Sequence, residues 1–246
     1  MRGISTVVET ARLILREKHD GPVDFMIAAG HGRSFGVDSS ILTRRLPGIL
    51  PCALWDALSV RPPLPTYALI TDLGNDIFYN QSSASLSIWL THMIARLESM
   101  HALVVLTSLP IENALKISPR QYAFVRRLFY PGCSLTLTEA LTIAREFDLT
   151  ARACAQSNSL PLIPLPARWY GWDPLHVQPR CWPEAWATIL APWSSSGTTT
   201  VRAAPSVRRA VYLKSRVPDS RFILGVHQRK RQPSGRLPDG SVISMF

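Results

Sequence analysis

Four short apolar runs, residues 23–29, 67–71, 102–107 and 160–165, each end at a loop built from Gly, Asn, Asp, Ser or Pro, and helix-period segments separate them. Runs of four to eight apolar residues suit buried strands, and strands that alternate with helices require crossovers rather than hairpins. The expected fold is therefore α/β, a three-layer domain with a central, mainly parallel sheet. Residues 4–18 put Ile4, Val7, Val8, Ala11, Ile14 and Leu15 on one helical face until Gly21-Pro22 ends it. Leu86, Trp89, Leu90, Met93, Ile94 and Leu97 repeat at i, i+3, i+4, i+7, i+8 and i+11, a second amphipathic helix. Ser118-Pro119 reads as an N-cap followed by a first-turn proline, with Tyr122, Val125, Leu128 and Phe129 behind it. A further helix is predicted over 138–156. Prolines at 47, 51, 62, 63 and 65 leave no room for a long element between 41 and 66.

The 246 residues, 46% of them apolar and 18% charged, are enough for a full-sized core and argue against disorder. No apolar run approaches the roughly 18 residues of a membrane span. Glu9, Arg12, Arg16 and Glu17 interrupt the first apolar stretch, so no secretory signal is read there. Cys52, Cys133, Cys154 and Cys181 lack C-x-x-C spacing, which indicates neither zinc nor a disulfide framework. A soluble, cytoplasmic protein is the expectation.

The net charge of +10 is unevenly placed. Residues 1–200 carry 17 basic and 15 acidic side chains, whereas residues 201–246 carry 10 basic ones against Asp219 and Asp239. Ser194-Ser195-Ser196-Gly197-Thr198-Thr199-Thr200 reads as a linker. The expected organisation is a domain over 1–193, a linker over 194–200 and a basic appendage over 201–246. Within the appendage, residues 222–226 and 242–246 are expected to pair across the Pro238-Asp239-Gly240 turn. Its arginines suit phosphate backbones, so nucleic acid is one reading, but a solvated cover over the body is favoured. No nucleic-acid-binding aromatic signature accompanies the charge, and its apolar residues form no helical face for a membrane surface.

Three loops carry the candidate chemistry, since ligands of parallel sheets gather beyond the carboxyl ends of the strands. Gly30-His31-Gly32-Arg33-Ser34-Phe35-Gly36 follows the first run. Its glycines are expected to expose the Ser34 hydroxyl, either as a nucleophile or as an ordinary turn serine. The G-R-S-F-G segment fits the letters of G-x-S-x-G, but no convincing helix follows it. Leu73-Gly74-Asn75-Asp76 follows the second run, where Asn75 can donate to an oxyanion or cap its own turn. Asp173-Pro174-Leu175-His176 follows the last. There the carboxylate can fix the tautomer of the imidazole and stabilise its charged form, with Trp169, Tyr170 and Trp172 as walls. His31 competes as a base and better suits a structural or substrate-contacting role.

In that order, the serine in a glycine turn, the G-N-D and the D-P-L-H resemble the SGNH (GDSL-type) hydrolases over residues 23–180. The resemblance implies a flavodoxin-like domain and a small ester or acylated substrate. It casts Ser34 as acyl-forming nucleophile, His176 as base, Asp173 as the acid that orients it, and Asn75 with the Ser34 N–H as oxyanion donors. It implies no metal or organic cofactor, and transfer of the acyl group to another acceptor would use the same residues. Three departures stand out. Arg33 replaces the acid that precedes the family's serine, which points it at an anionic substrate. The G-x-N-D pattern is shortened. The second-block glycine matches either Gly48 or Ala53. A catalytically silent binding protein on the same fold is the alternative.

Overall fold

The structure, a computed structural model, describes residues 3–171, 173–197 and 201–246. Its strands are β1 (Asp24–Ile27), β2 (Ser39–Ile41), β3 (Arg44–Leu46), β4 (Tyr67–Ile70), β5 (Leu103–Thr107), β6 (Leu162–Ile163), β7 (Ser220–Ile223), β8 (Val226–Arg229), β9 (Gly235–Arg236) and β10 (Val242–Met245). Its helices are α1 (Ile4–Arg16), α2 (Leu54–Ser59), α3 (Ser83–Glu98), α4 (Ile111–Ala114), α5 (Pro119–Phe129), α6 (Leu137–Ser157), α7 (Trp182–Leu190) and α8 (Val207–Lys214).

β4, β5 and β6 form a parallel sheet, with Ile70 opposite Leu106 and Leu106 opposite Leu162. Successive side chains of a strand face opposite ways, and here both ways are apolar. Val104 and Leu106 join one cluster with Leu90 and Ile94 of α3 and Phe147 and Ala151 of α6. Val105 joins another with Val8 and Ile14 of α1 and Ile189 and Leu190 of α7. Helices thus cover both faces of this sheet, which is why its strands read as unbroken apolar runs.

The helices begin where side chains satisfy their first amides. Ser118 and Gln121 form a reciprocal capping box ahead of α5, with Pro119 in the first turn. Thr136 and Glu139 do the same for α6, a box that the sequence reading missed.

The expectation of one central sheet is corrected. Hydrogen bonding divides the strands into β1-β10-β9, β2-β3-β7-β8 and β4-β5-β6. The reason lies in residues 201–246, which supply β9 and β10 to one of these sheets and β7 and β8 to another. β10 lies parallel to β1, with Asp24 opposite Val242 and Ile27 opposite Met245. Leu213 of α8 and Ile243 are fully buried in the cluster that also holds α1, and Arg12 pairs with Asp239 at 2.9 Å. The expected pairing of 222–226 with 242–246 does not form. β7 runs between β3 and β8, and Leu224 and Gly225, both at positive φ, make the two-residue turn of the β7–β8 hairpin. Of the expected linker, Ser194 is buried, and residues 198–200 lie outside the described residues. Among the described residues no helix is long and apolar enough to cross a membrane.

Candidate functional site

The loops leaving β1, β4, β5 and β6 close around one cleft of about 320 Å³. Gly30, His31 and Gly32 reach it from β1, residues 72–75 from β4, Ser108 from β5, and Tyr170, Asp173 and His176 from the loop beyond β6. Its far wall is apolar, built by α4, α5 and α6 with side chains such as Ile111, Val125 and Leu141. A cleft of this size with an apolar body and a few convergent polar groups suits a small molecule.

Asp173 and His176 meet as a pair. The Nδ1 of His176 lies 2.9 and 3.1 Å from the two carboxylate oxygens of Asp173, and the Leu175 N–H donates to one of them at 3.1 Å. Pro174 holds the turn between them. An Nδ1–H engaged by carboxylate leaves Nε2 as the basic nitrogen. The ring of His31 stacks on that of His176, with centroids 5.8 Å apart and planes 18° apart. Phe129 meets the His31 ring edge-on at 5.6 Å.

Ser34 is elsewhere. It is fully buried, its Oγ donates to Asp76, and the same oxygen accepts from the amides of Gly36 at 3.1 Å and Val37 at 2.8 Å. The expectation of an exposed hydroxyl is corrected: the turn sends this side chain inward, to a carboxylate 42 residues along the chain. The residues of the turn that line the cleft are Gly30, His31 and Gly32, the last at φ +59°. A Cβ at Gly32 would overlap the Tyr130 hydroxyl and the Ile41 side chain, and the left-handed backbone also favours glycine, so a side chain there is strained and displaces both neighbours.

Partners tie down the carbonyls of Gly30 to Phe35 in this turn. Those of Gly30, His31, Gly32 and Arg33 accept from Arg33 N, the Arg44 guanidinium, the Tyr79 hydroxyl and the Asn75 amide. Those of Ser34 and Phe35 accept from Ile49 N and Leu50 N. The turn is a fixed cradle for His31 and Gly32. Asn75 lines the cleft while giving one amide hydrogen to Arg33 O at 3.2 Å, and its second amide hydrogen has no acceptor among the described residues.

Gly48 and Ala53 are not cleft residues; Gly48 packs against the backbone of Gly36, and the strand of chain behind it bonds to residues 34 and 35. Arg33 is buried too, donating to Pro47 O at 3.0 Å and to the backbone oxygen of Phe246. It is therefore unavailable to an anionic substrate, and burial pulls its pKa down from the usual arginine value. Trp169 is fully buried with its indole N–H on Glu184, away from the cleft, whereas Tyr170 lines it. Trp172 lies outside the described residues.

Sequence reasoning missed Asp72, Asp76, Tyr130 and Ser108. Asp72 is a non-glycine residue at φ +60° on the cleft rim, a conformation that Asp tolerates better than most residues. Burial, followed by the charges of Asp76 and Asp72, pushes the Tyr130 phenol up to about 12. Burial and Asp72 likewise raise that of Tyr170, so both remain neutral donors. Burial raises the pKa of Asp76 against the donors Ser34 and Phe35. The one signal in the sequence was the acid of Gly74-Asn75-Asp76, which anchors the serine turn. Among the described residues no group of three or more His, Cys, Asp or Glu side chains is placed to hold a metal ion. Compared with known protein families, curated proteins and solved structures, the chain matches none.

Proposed function

We propose that the cleft binds a small molecule with an apolar acyl part and hydrolyses its ester, with His176 acting as general base on water. The observation that carries this reading is the Asp173–His176 pair at the polar end of an otherwise apolar cleft. Nε2 of His176 takes a proton from water as the water oxygen attacks the ester carbonyl. Asp173 stabilises the imidazolium, and the unspent amide hydrogen of Asn75 faces the developing oxyanion. The imidazolium then returns its proton to the departing alkoxide, so ester and water become acid and alcohol. Ser34 has no part in this route because its hydroxyl is committed to Asp76 and two amides.

Kinship with SGNH hydrolases, and the flavodoxin-like arrangement that goes with it, belongs to the same proposal. Its support is the order of the glycine turn, the G-N-D loop and the D-P-L-H loop around one cleft; the committed Ser34 departs from the pattern. The four cysteines are free thiols, which supports a reducing, cytoplasmic setting.

Gly32 favours a second reading, a binding protein that holds such a ligand without turning it over, because the turn beside the base offers no nucleophile. Hydrolysis of p-nitrophenyl butyrate separates the two. Turnover that His176→Gln lowers by about 10²–10⁴-fold supports the hydrolase. Ligand binding with no turnover supports the binding protein.

A further inference from the structure

α5 has two faces. Val125 and Phe129 face the cleft, while Arg120, Phe124, Arg127 and Leu128, spaced i, i+4, i+7 and i+8, lie together on the outside. Phe124 does both: it lines the cleft and is still 63% exposed. Leu128 is 44% exposed, and Leu115 and Lys116, just beyond α4, are exposed beside the same rim. From residue 113 to residue 138 the chain carries four basic side chains and no acidic one. Arg126 is bound to the Leu135 carbonyl, whereas Lys116, Arg120 and Arg127 make no ion pair among the described residues.

Large apolar side chains flanked by unpaired cations, on a helix that also walls an acyl-sized cleft, match an anionic lipid surface. We infer that α5 docks on anionic membranes and that the ester handled in the cleft is one presented by such a surface, a lipid acyl ester. This inference rests on the hydrolase reading for its substrate but not for its binding. Phe124 and Leu128 enter the acyl boundary while Lys116, Arg120 and Arg127 meet the headgroups, and the mouth beside Phe124 opens toward the lipid. A soluble protein partner would need acidic groups to meet the same three cations. The direct continuity of the apolar surface with an acyl-sized cleft favours lipid.

The full chain is sedimented with vesicles of phosphatidylcholine alone and of phosphatidylcholine mixed with phosphatidylglycerol. Binding is expected to the mixed vesicles only. A basic side chain at an anionic surface is worth about fivefold in partitioning, so the triple variant Lys116→Gln, Arg120→Gln, Arg127→Gln loses on the order of 100-fold. Leu128→Ser weakens binding as well. None of these four residues lines the cleft, so hydrolysis of soluble p-nitrophenyl butyrate is unchanged in each variant, which also reports correct folding. Hydrolysis of a vesicle-borne phospholipid ester falls in step with binding. No sedimentation with anionic vesicles, or equal partitioning of the triple variant, overturns the inference, as does concentration-dependent self-association that Leu128→Ser abolishes. Vesicle binding without hydrolysis of either ester would instead reject the hydrolase reading and leave α5 as a membrane-docking element.

Discussion

Ser34→Ala separates the two roles a buried serine in this turn can have. The hydroxyl makes one hydrogen bond to the Asp76 carboxylate and receives two from backbone amides, all inside the protein. Alanine leaves a desolvated carboxylate short of a donor and two amides short of an acceptor. An orphaned buried group costs about 1–3 kcal/mol, and partial relaxation brings the sum here to about 2–4 kcal/mol. In a chain of this length each kcal/mol lowers Tm by about 2–4 °C, so a fall of about 4–16 °C is expected in differential scanning calorimetry. Ester turnover per folded molecule, measured well below the transition, is expected to be unchanged because Ser34 does not line the cleft. A nucleophilic serine would behave in the opposite way, with Tm nearly constant and kcat falling on the order of 10⁶-fold. That second outcome would refute the reasoning from burial and hydrogen bonding.

Three further perturbations test the surrounding structure. Gly32→Ala combines a left-handed backbone cost of about 1–2 kcal/mol with about 1–3 kcal/mol of overpacking against Tyr130 and Ile41, so urea denaturation should show a loss of about 2–5 kcal/mol. Asp173→Asn removes the carboxylate that fixes the His176 tautomer and should lower kcat by about 10²–10⁴-fold. Its Tm should barely change, because both side chains are one-third exposed. The Arg12 guanidinium, hydrogen-bonded to Glu9, holds that carboxyl below its ordinary range despite partial burial. The stability this pair contributes is present above the ordinary glutamate value and is lost as pH falls through the depressed one. Thermal melts from pH 6 downward should therefore show a steeper acid loss in the wild type than in Glu9→Gln.

The parts of the fold set by local sequence were readable in advance. The 3.6-residue period of Leu86 to Leu97 falls within α3, and Ser118-Pro119 opens α5 as expected. The four apolar runs became β1, β4, β5 and β6; β4, β5 and β6 were legible because a strand covered on both faces shows no alternation to misread. Long-range pairing was not readable. Nothing local distinguishes residues 242–245 as the partner of residues 24–27, and the basic character of 201–246 obscured the few apolar side chains, Leu213 and Ile243, that fix it in the core. The site divides in the same way. Asp173 and His176 are three residues apart and meet through their own turn. Ser34 depends on the φ of Gly32 and on a carboxylate from a distant loop, so its direction is a property of the assembled fold.

The central claim is that His176 activates water and that no acyl-enzyme forms. Rapid mixing of the protein with excess p-nitrophenyl butyrate, with p-nitrophenol release followed optically and the quenched protein weighed by mass spectrometry, tests it most directly. Linear product release without a burst, an unshifted protein mass and loss of turnover in His176→Gln are predicted. A burst with a butyryl adduct on Ser34, or on any other side chain, would contradict it.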